Sequence, residues 1–125
     1  TFVWQRTQHL FTKILNYSIP IPNLHLTLGD LSPIKQATIP QRKLALTLIS
    51  YAVYEVWQVR CRSHKENEHD SPVEVWCRIR HQLRGLIFHK FRIAQEQNRL
   101  TDFANKFAYS SKICVVNPNS LTYNL

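Results

Sequence analysis

The stretch from Ser71 to Phe107 constrains this chain more than any other. Ser71, Pro72 and Glu74 form the pattern of a capping box with proline at the first helical position. Val73, Trp76, Ile79, Leu83, Leu86, Ile87, Phe91 and Ala94 then recur at three- and four-residue spacing, so they share one helical face. A helix with an apolar face must bury it, and the fold has to be organised around this element. Gly85 interrupts it mildly, at roughly 1 kcal/mol against Ala. The spacing predicts a helix over about 72–108. Leu100, Phe103, Ala104 and Phe107 project to a different side, which predicts a kink near Asn98 or contact with a second surface.

Two further helices are expected. Phe2, Val3, Trp4, Thr7, Leu10, Phe11, Ile14 and Leu15 mark one face of a helix over about 2–16. Thr38 and Pro40 supply a cap and a first-turn proline for a helix over about 40–62, apolar on more than one side and expected at the buried centre. Between them, Pro20, Pro22, Gly29, Asp30 and Pro33 break helical structure, while Ile19, Ile21, Leu24, Leu26, Leu28 and Leu31 are too apolar for a solvated linker. An extended, Pro-containing connector packed on the helices is expected. Ser63 to Asp70 reads as an exposed polar loop. Ile113 to Val116 and Leu121 to Leu125 flank N-P-N-S and predict a small β-hairpin over 112–125. The class is mainly α, a three-helix arrangement in a single domain over 1–125.

The 125 residues suit one domain, and 44% hydrophobic residues give it a core. Arg, Lys, Gln or His interrupts every apolar segment before the roughly 18 to 20 residues of a membrane span, so the chain is expected to be soluble or peripheral, with no membrane among its partners. Three Cys and no secretory leader pattern point to a reducing compartment, hence an intracellular protein, nuclear or cytoplasmic. The chain has no Met, not even at position 1, and reads as a piece of a longer product.

Sixteen Lys and Arg against eight Asp and Glu leave a formal charge of +8, whose common physical meaning is an anionic partner, RNA or DNA first. On the third helix Arg78, His81, Arg84, Arg92 and Arg99 project within about a third of the circumference, opposite much of the apolar stripe. Arginines at helical spacing can meet successive phosphates. The same row serves equally as a solvated face with snorkelling stems. Phe88 on that side either stacks on a base or packs against the connector, and packing is the expected outcome. The nucleic-acid-binding candidates are Arg78, Arg84, Arg92 and Arg99, extended by Arg62 and Lys65.

Catalytic patterns are missing. Glu55, Glu66, Glu68, Asp70, Glu74, Glu96 and Asp102 scatter over loop and helix surfaces without pairing as acid and base. No G-x-x-x-x-G-K-[ST], G-x-S-x-G or H-E-x-x-H occurs, and two glycines cannot build a phosphate cradle. Cys61, His64, His69 and Cys77 carry zinc-preferring ligands, but C-x2-H-x4-H-x7-C matches no standard finger, so no metal or other cofactor is expected. Cys114 sits in an apolar run and reads as a small buried side chain.

Three segments carry a family resemblance: V-W-Q-R-T-Q-H-L-F-T-K-I-L (3–15), L-T-L-G-D-L (26–31) and L-I-S-Y-A-V-Y-E-V-W-Q-V-R-C-R (48–62). Their order resembles the C-terminal region of LINE-type (non-LTR) retrotransposon reverse transcriptases. There a Trp-containing helix leads through a connector with a Leu-Gly step to a helix reading roughly A-K-x-x-I-W-x-x-R, and Ala52, Val56, Trp57 and Arg60 occupy the matching places. D-F-A-N-K-F (102–107) and the terminal hairpin resemble the family's ending more loosely. The resemblance implies a parent RNA-directed DNA polymerase and, for this piece, a helical accessory scaffold contacting RNA or target DNA beside the rest of the parent polyprotein. The Y-x-D-D polymerase motif, the endonuclease and the upstream zinc knuckle are not in the chain, so no enzymatic activity carries over. The rival expectation is a protein-interaction module in which Trp57 and Trp76 are core and Leu100, Phe103 and Phe107 dock a partner.

Overall fold

In a computed structural model, residues 2–21, 23, 26, 30–65, 70–109, 112–117 and 120–125 are described. The expected packing of Leu24 and Leu28, the Leu28–Gly29 step, the His69 ligand and the Pro118 turn lie outside them. The chain is mainly helical with one small sheet.

Helix α1, Phe2–Leu15, buries Val3, Thr7, Leu10, Phe11, Ile14 and Leu15, the face its spacing predicts. The Thr7 hydroxyl is fully buried and donates to the Val3 carbonyl at 2.8 Å, so its polarity is satisfied within the helix. Asn16 stops the helix in the left-handed region, φ 64°, a conformation Asn tolerates better than most residues. The connector lies on the core as expected through Ile19, Ile21, Leu26, Ile34 and Ala37, all buried. Leu31 differs: it is exposed beside a single 3-10 turn at Ser32–Ile34.

Helix α2 spans Ile39–Lys65, three residues beyond the expected end. A reciprocal capping box starts it. The Thr38 amide donates to Gln41 Oε1 at 2.9 Å, and the Gln41 amide donates to Thr38 Oγ1 at 3.3 Å. Arg62, His64 and Lys65 occupy the last turn, where the negative end of the dipole favours cations.

Helix α3, Pro72–Glu96, begins with Ser71 accepting from the Glu74 amide at 3.2 Å. The helix expected to run to 108 ends twelve residues earlier. Asn98 adopts φ 55°, its amide reaches Gln95 O, and the Arg99 amide reaches back to Ala94 O at 2.8 Å. This is a left-handed C-terminal stop with Asn in the usual glycine place. A short helix α4, Leu100–Ala104, then widens into a π turn over Asn105–Tyr109. The break redirects the second apolar group inward: Phe103 meets Phe91 edge-on at 5.5 Å between centroids and Phe107 at 4.8 Å. The expected docking surface at Leu100, Phe103 and Phe107 is therefore internal packing.

Helices α1, α2 and α3 pack against one another. Phe11, Ile14, Ile34, Leu48, Ile79, Leu83, Ile87 and Ile113 are fully enclosed where they meet. Truncating one of them, Leu83→Ala for instance, costs about 2–5 kcal/mol. Strands β1, Cys114–Asn117, and β2, Ser120–Tyr123, pair antiparallel with Cys114 opposite Tyr123 and Asn117 opposite Ser120. Ile113 and Cys114 anchor this hairpin to the core.

Candidate nucleic-acid interface

Helical geometry sorts the α3 side chains into two faces. Val75, Trp76, Ile79, Leu83, Ile87, Phe91 and Ala94 turn inward, and the opposite side exposes Cys77, His81, Arg84, Gly85, Phe88 and Arg92. Arg84, Phe88 and Arg92 follow one another at four-residue spacing, about 6 Å of rise per step. Phe88 is 51% exposed, which corrects the expectation that it packs against the connector. An aromatic face between two guanidiniums is therefore open to solvent. Gly85 adds no bulk beside it, with nothing within 4 Å of where a Cβ would sit.

The hairpin holds one of these cations in place. The Arg84 guanidinium carbon lies 4.8 Å from the centroid of the Tyr123 ring, and the Tyr123 hydroxyl donates to the Arg84 carbonyl at 3.4 Å. Stacking on a ring leaves the guanidinium N–H groups free to meet an anion and lowers the entropy lost when they do. Burial raises the Tyr123 hydroxyl above the ordinary phenol value, opposed by the Arg84 charge.

Four of the six predicted site residues fall elsewhere. Arg78 is turned toward α2, where its Nε donates to Glu55 at 2.9 Å and its second nitrogen to Asp70 at 3.1 Å. Arg62 pairs with the same Asp70 oxygen at 2.6 Å, and Gln82 donates to the other oxygen of Glu55. Glu55, placed on a surface by its sequence, is only 4% exposed. The Arg62 hydrogen bond holds the Asp70 carboxyl below its ordinary value, aided by the charges of Arg62 and Arg78 against partial desolvation. Desolvation lowers Arg78, but the Glu55 hydrogen bond and both carboxylate charges outweigh it and raise that group. Arg62 and Arg78 thus join α2 to α3. Lys65 is exposed in the last turn of α2, and Arg99 is exposed beyond the α3 stop, outside the register that would carry it onto the ridge. The structure brings Arg84 and Arg92 together with Phe88, and the ridge closes one turn later at the exposed Glu96.

No match is found among protein-family models, curated proteins or solved structures.

Cys61, His64 and Cys77 are not gathered as a metal site among the described residues. Cys61 is half-buried on α2, Cys77 is exposed on α3, and His69 is outside the described residues. Among the described residues no group of three His, Cys, Asp or Glu side chains gathers as a metal site. Cys114 is buried as expected, and burial pushes its thiol up to about 11. Among the described residues no helix is long and apolar enough to cross a membrane.

Helix α2 is less enclosed than its composition suggests. Trp57, expected in the core, is 59% exposed, while Trp76 is buried. Tyr54 and Trp57 lie 6.3 Å apart and, with Val53, Leu46 and Ile49, line an open groove of about 490 Å³.

Proposed function

We propose that this chain is a non-catalytic nucleic-acid-binding module that holds an unpaired strand along the outer face of α3. The observation that carries the reading is Phe88, exposed between Arg84 and Arg92 with Arg84 stacked on Tyr123. The guanidiniums take phosphates, and the ring takes a base face whatever its sequence. The overall charge of +8 supplies attraction at longer range. The resemblance of residues 3–15, 26–31 and 48–62 to LINE-type reverse transcriptases supports the same role, as an accessory scaffold or relic of such a polymerase working inside the cell, in nucleus or cytoplasm. An upstream polymerase reading frame in the flanking genomic sequence is the expected sign of that parentage.

Fluorescence anisotropy with a labelled single-stranded RNA decamer, titrated from low to moderate salt, tests the function. Affinity is expected to fall steeply with salt. Phe88→Ala is expected to weaken binding about tenfold, within the range of one lost base stack. A flat salt response, or full affinity in a variant carrying Phe88→Ala with Arg84→Gln and Arg92→Gln, overturns it.

The Trp57 groove favours a second reading, a protein-interaction module. Lys43 lies one turn before Leu46 and Arg60 one turn after Trp57, both exposed, and the one acidic residue of α2, Glu55, is turned inward. The occupant that fits is an amphipathic helix with apolar residues centred between acidic ends. Trp57→Ala is expected to abolish capture of such a helix and to leave RNA binding intact; loss of both from this one change argues against two separate surfaces.

A further inference from the structure

A second cationic surface lies in the cleft between α1 and α3. Arg6, His9 and Lys13 are three and four residues apart on α1, so they share one side of that helix. Arg80 of α3 faces them across a recess of about 520 Å³, within the common size of small-ligand sites. Among the described residues lining the recess there is no Asp or Glu side chain. The contrast with the α2–α3 contact is instructive, because there Arg62 and Arg78 are matched by Asp70 and Glu55. Like side-chain charges gathered without an acidic side chain among them repel one another, and a bound anion relieves that repulsion.

Two of the cations are already positioned. The Arg6 guanidinium carbon sits 5.2 Å from the Phe2 ring centroid, and Lys13 Nζ donates to the Asn124 carbonyl at 2.7 Å. The remaining wall is apolar, with Phe2, Val73 and the edge of Trp76. A site that joins unpaired cations to aromatic surface suits a ligand with a phosphate at one end and a flat ring at the other.

We propose that this cleft binds a nucleotide, with Arg6, Lys13 and Arg80 on the phosphate and the base against Phe2 and Val73. The nucleotide is either a free mononucleotide or the 5′-phosphorylated end of a strand. Arg80 precedes Arg84 by one helical turn, so a strand lying on the α3 ridge has its end within reach of the cleft. Only that second source rests on the ridge reading. The cleft residues are separate from Phe88 and Arg92, and each surface can fail alone.

The test uses the 125-residue chain with three probes: adenosine 5′-monophosphate by calorimetry, and two labelled RNA decamers identical except for a 5′-phosphate or a 5′-hydroxyl. Expected is saturable nucleotide binding, or a preference of about tenfold for the phosphorylated decamer, the scale of one or two charge-assisted hydrogen bonds. Lys13→Gln with Arg80→Gln is expected to remove whichever is seen, while Lys35→Gln, exposed beside the 3-10 turn, leaves it unchanged. Arg6→Gln, at an exposed position, serves where the double variant melts early. Mononucleotide binding with equal decamers identifies the free nucleotide; a decamer preference alone identifies the strand end. Neither signal, or a signal that survives both Arg6→Gln and the double variant, overturns the proposal. Mononucleotide binding in a protein that ignores both decamers leaves the cleft standing and sinks the ridge.

Discussion

Arg78 Nε donates to Glu55 Oε2 at 2.9 Å across the contact of α2 with α3, and Glu55 is the only acidic residue of its 27-residue helix. Arg78→Ala leaves that buried carboxylate with Gln82 as its partner and is expected to cost about 3–5 kcal/mol. Replacing both, Glu55→Leu with Arg78→Leu, restores most of the loss, because neither change then strands a charge. Urea denaturation of the two single variants and the double variant checks this. A double variant whose loss equals the sum of the single losses contradicts it.

Acid should loosen the same joint through Asp70. Its folded value lies below that of the unfolded chain, so the stability it contributes is present above the ordinary carboxylate range and is lost as pH falls through the lowered value. The gap in melting temperature between the protein and Asp70→Asn is therefore expected at pH 7 and should close as pH falls below about 4. A gap of the same size above and well below the carboxylate range would mean the carboxylate charge is not what Asn removes.

On the ridge, binding and stability should separate. Arg92 is exposed and makes no ion pair among the described residues, so Arg92→Gln is expected to shift unfolding by less than about 0.5 kcal/mol. It should also lower the slope of log affinity against log salt by about one, the signature of one lost phosphate contact. Salt titrations of both proteins measure this directly, and an unchanged slope removes Arg92 from the interface.

Thiol labelling offers a check on packing. Cys77 is exposed, Cys61 half-buried and Cys114 2% exposed with its thiol raised to about 11. Maleimide at pH 8 followed by mass spectrometry should modify them in that order, with Cys114 reacting only after unfolding. The raised thiol also means that the folded state loses stability as pH climbs from 9 toward 11. Equal rates for Cys77 and Cys114 in the native protein would show that the hairpin does not cover the core.

Lys112 holds φ 55°, in the left-handed region that a side chain with a Cβ adopts at a cost. Lys112→Gly should stabilise the protein by about 0.5–1 kcal/mol, and Asn98→Ala, at the other left-handed stop, should destabilise it by about 1 kcal/mol. Thermal melts decide both signs.

The helices were legible because local rules act alone there. The caps at Thr38 and Ser71 and the apolar spacing of α1 and α3 need no knowledge of the rest of the chain. The stop at Asn98 was half legible: projection showed Phe103 and Phe107 leaving the stripe, but which way the chain turned depended on Phe91 waiting across the bend. The site was harder to read. A helical projection places Arg78 and Arg92 on one face, yet only the partner helix decides that Arg78 meets Glu55 while Arg92 meets solvent. Residue type alone favours the core for Trp57, as the protein-interaction expectation has it, yet the residue is 59% exposed. Tyr123 beneath Arg84 had no sequence signal, because 39 residues separate them. The Arg6, His9 and Lys13 series on α1 did have one, at three- and four-residue spacing.

Tyr123 and Asn124 adjoin in sequence, yet one seats Arg84 and the other seats Lys13. During synthesis the helices emerge first and can settle against one another before either seat exists. Both cationic surfaces lean on the same hairpin, which leaves the ribosome after all three helices. A nascent chain stalled ahead of Tyr123 would present folded helices on which Arg84 and Lys13 still wander, while Arg62 and Arg78 are already held by Asp70 and Glu55.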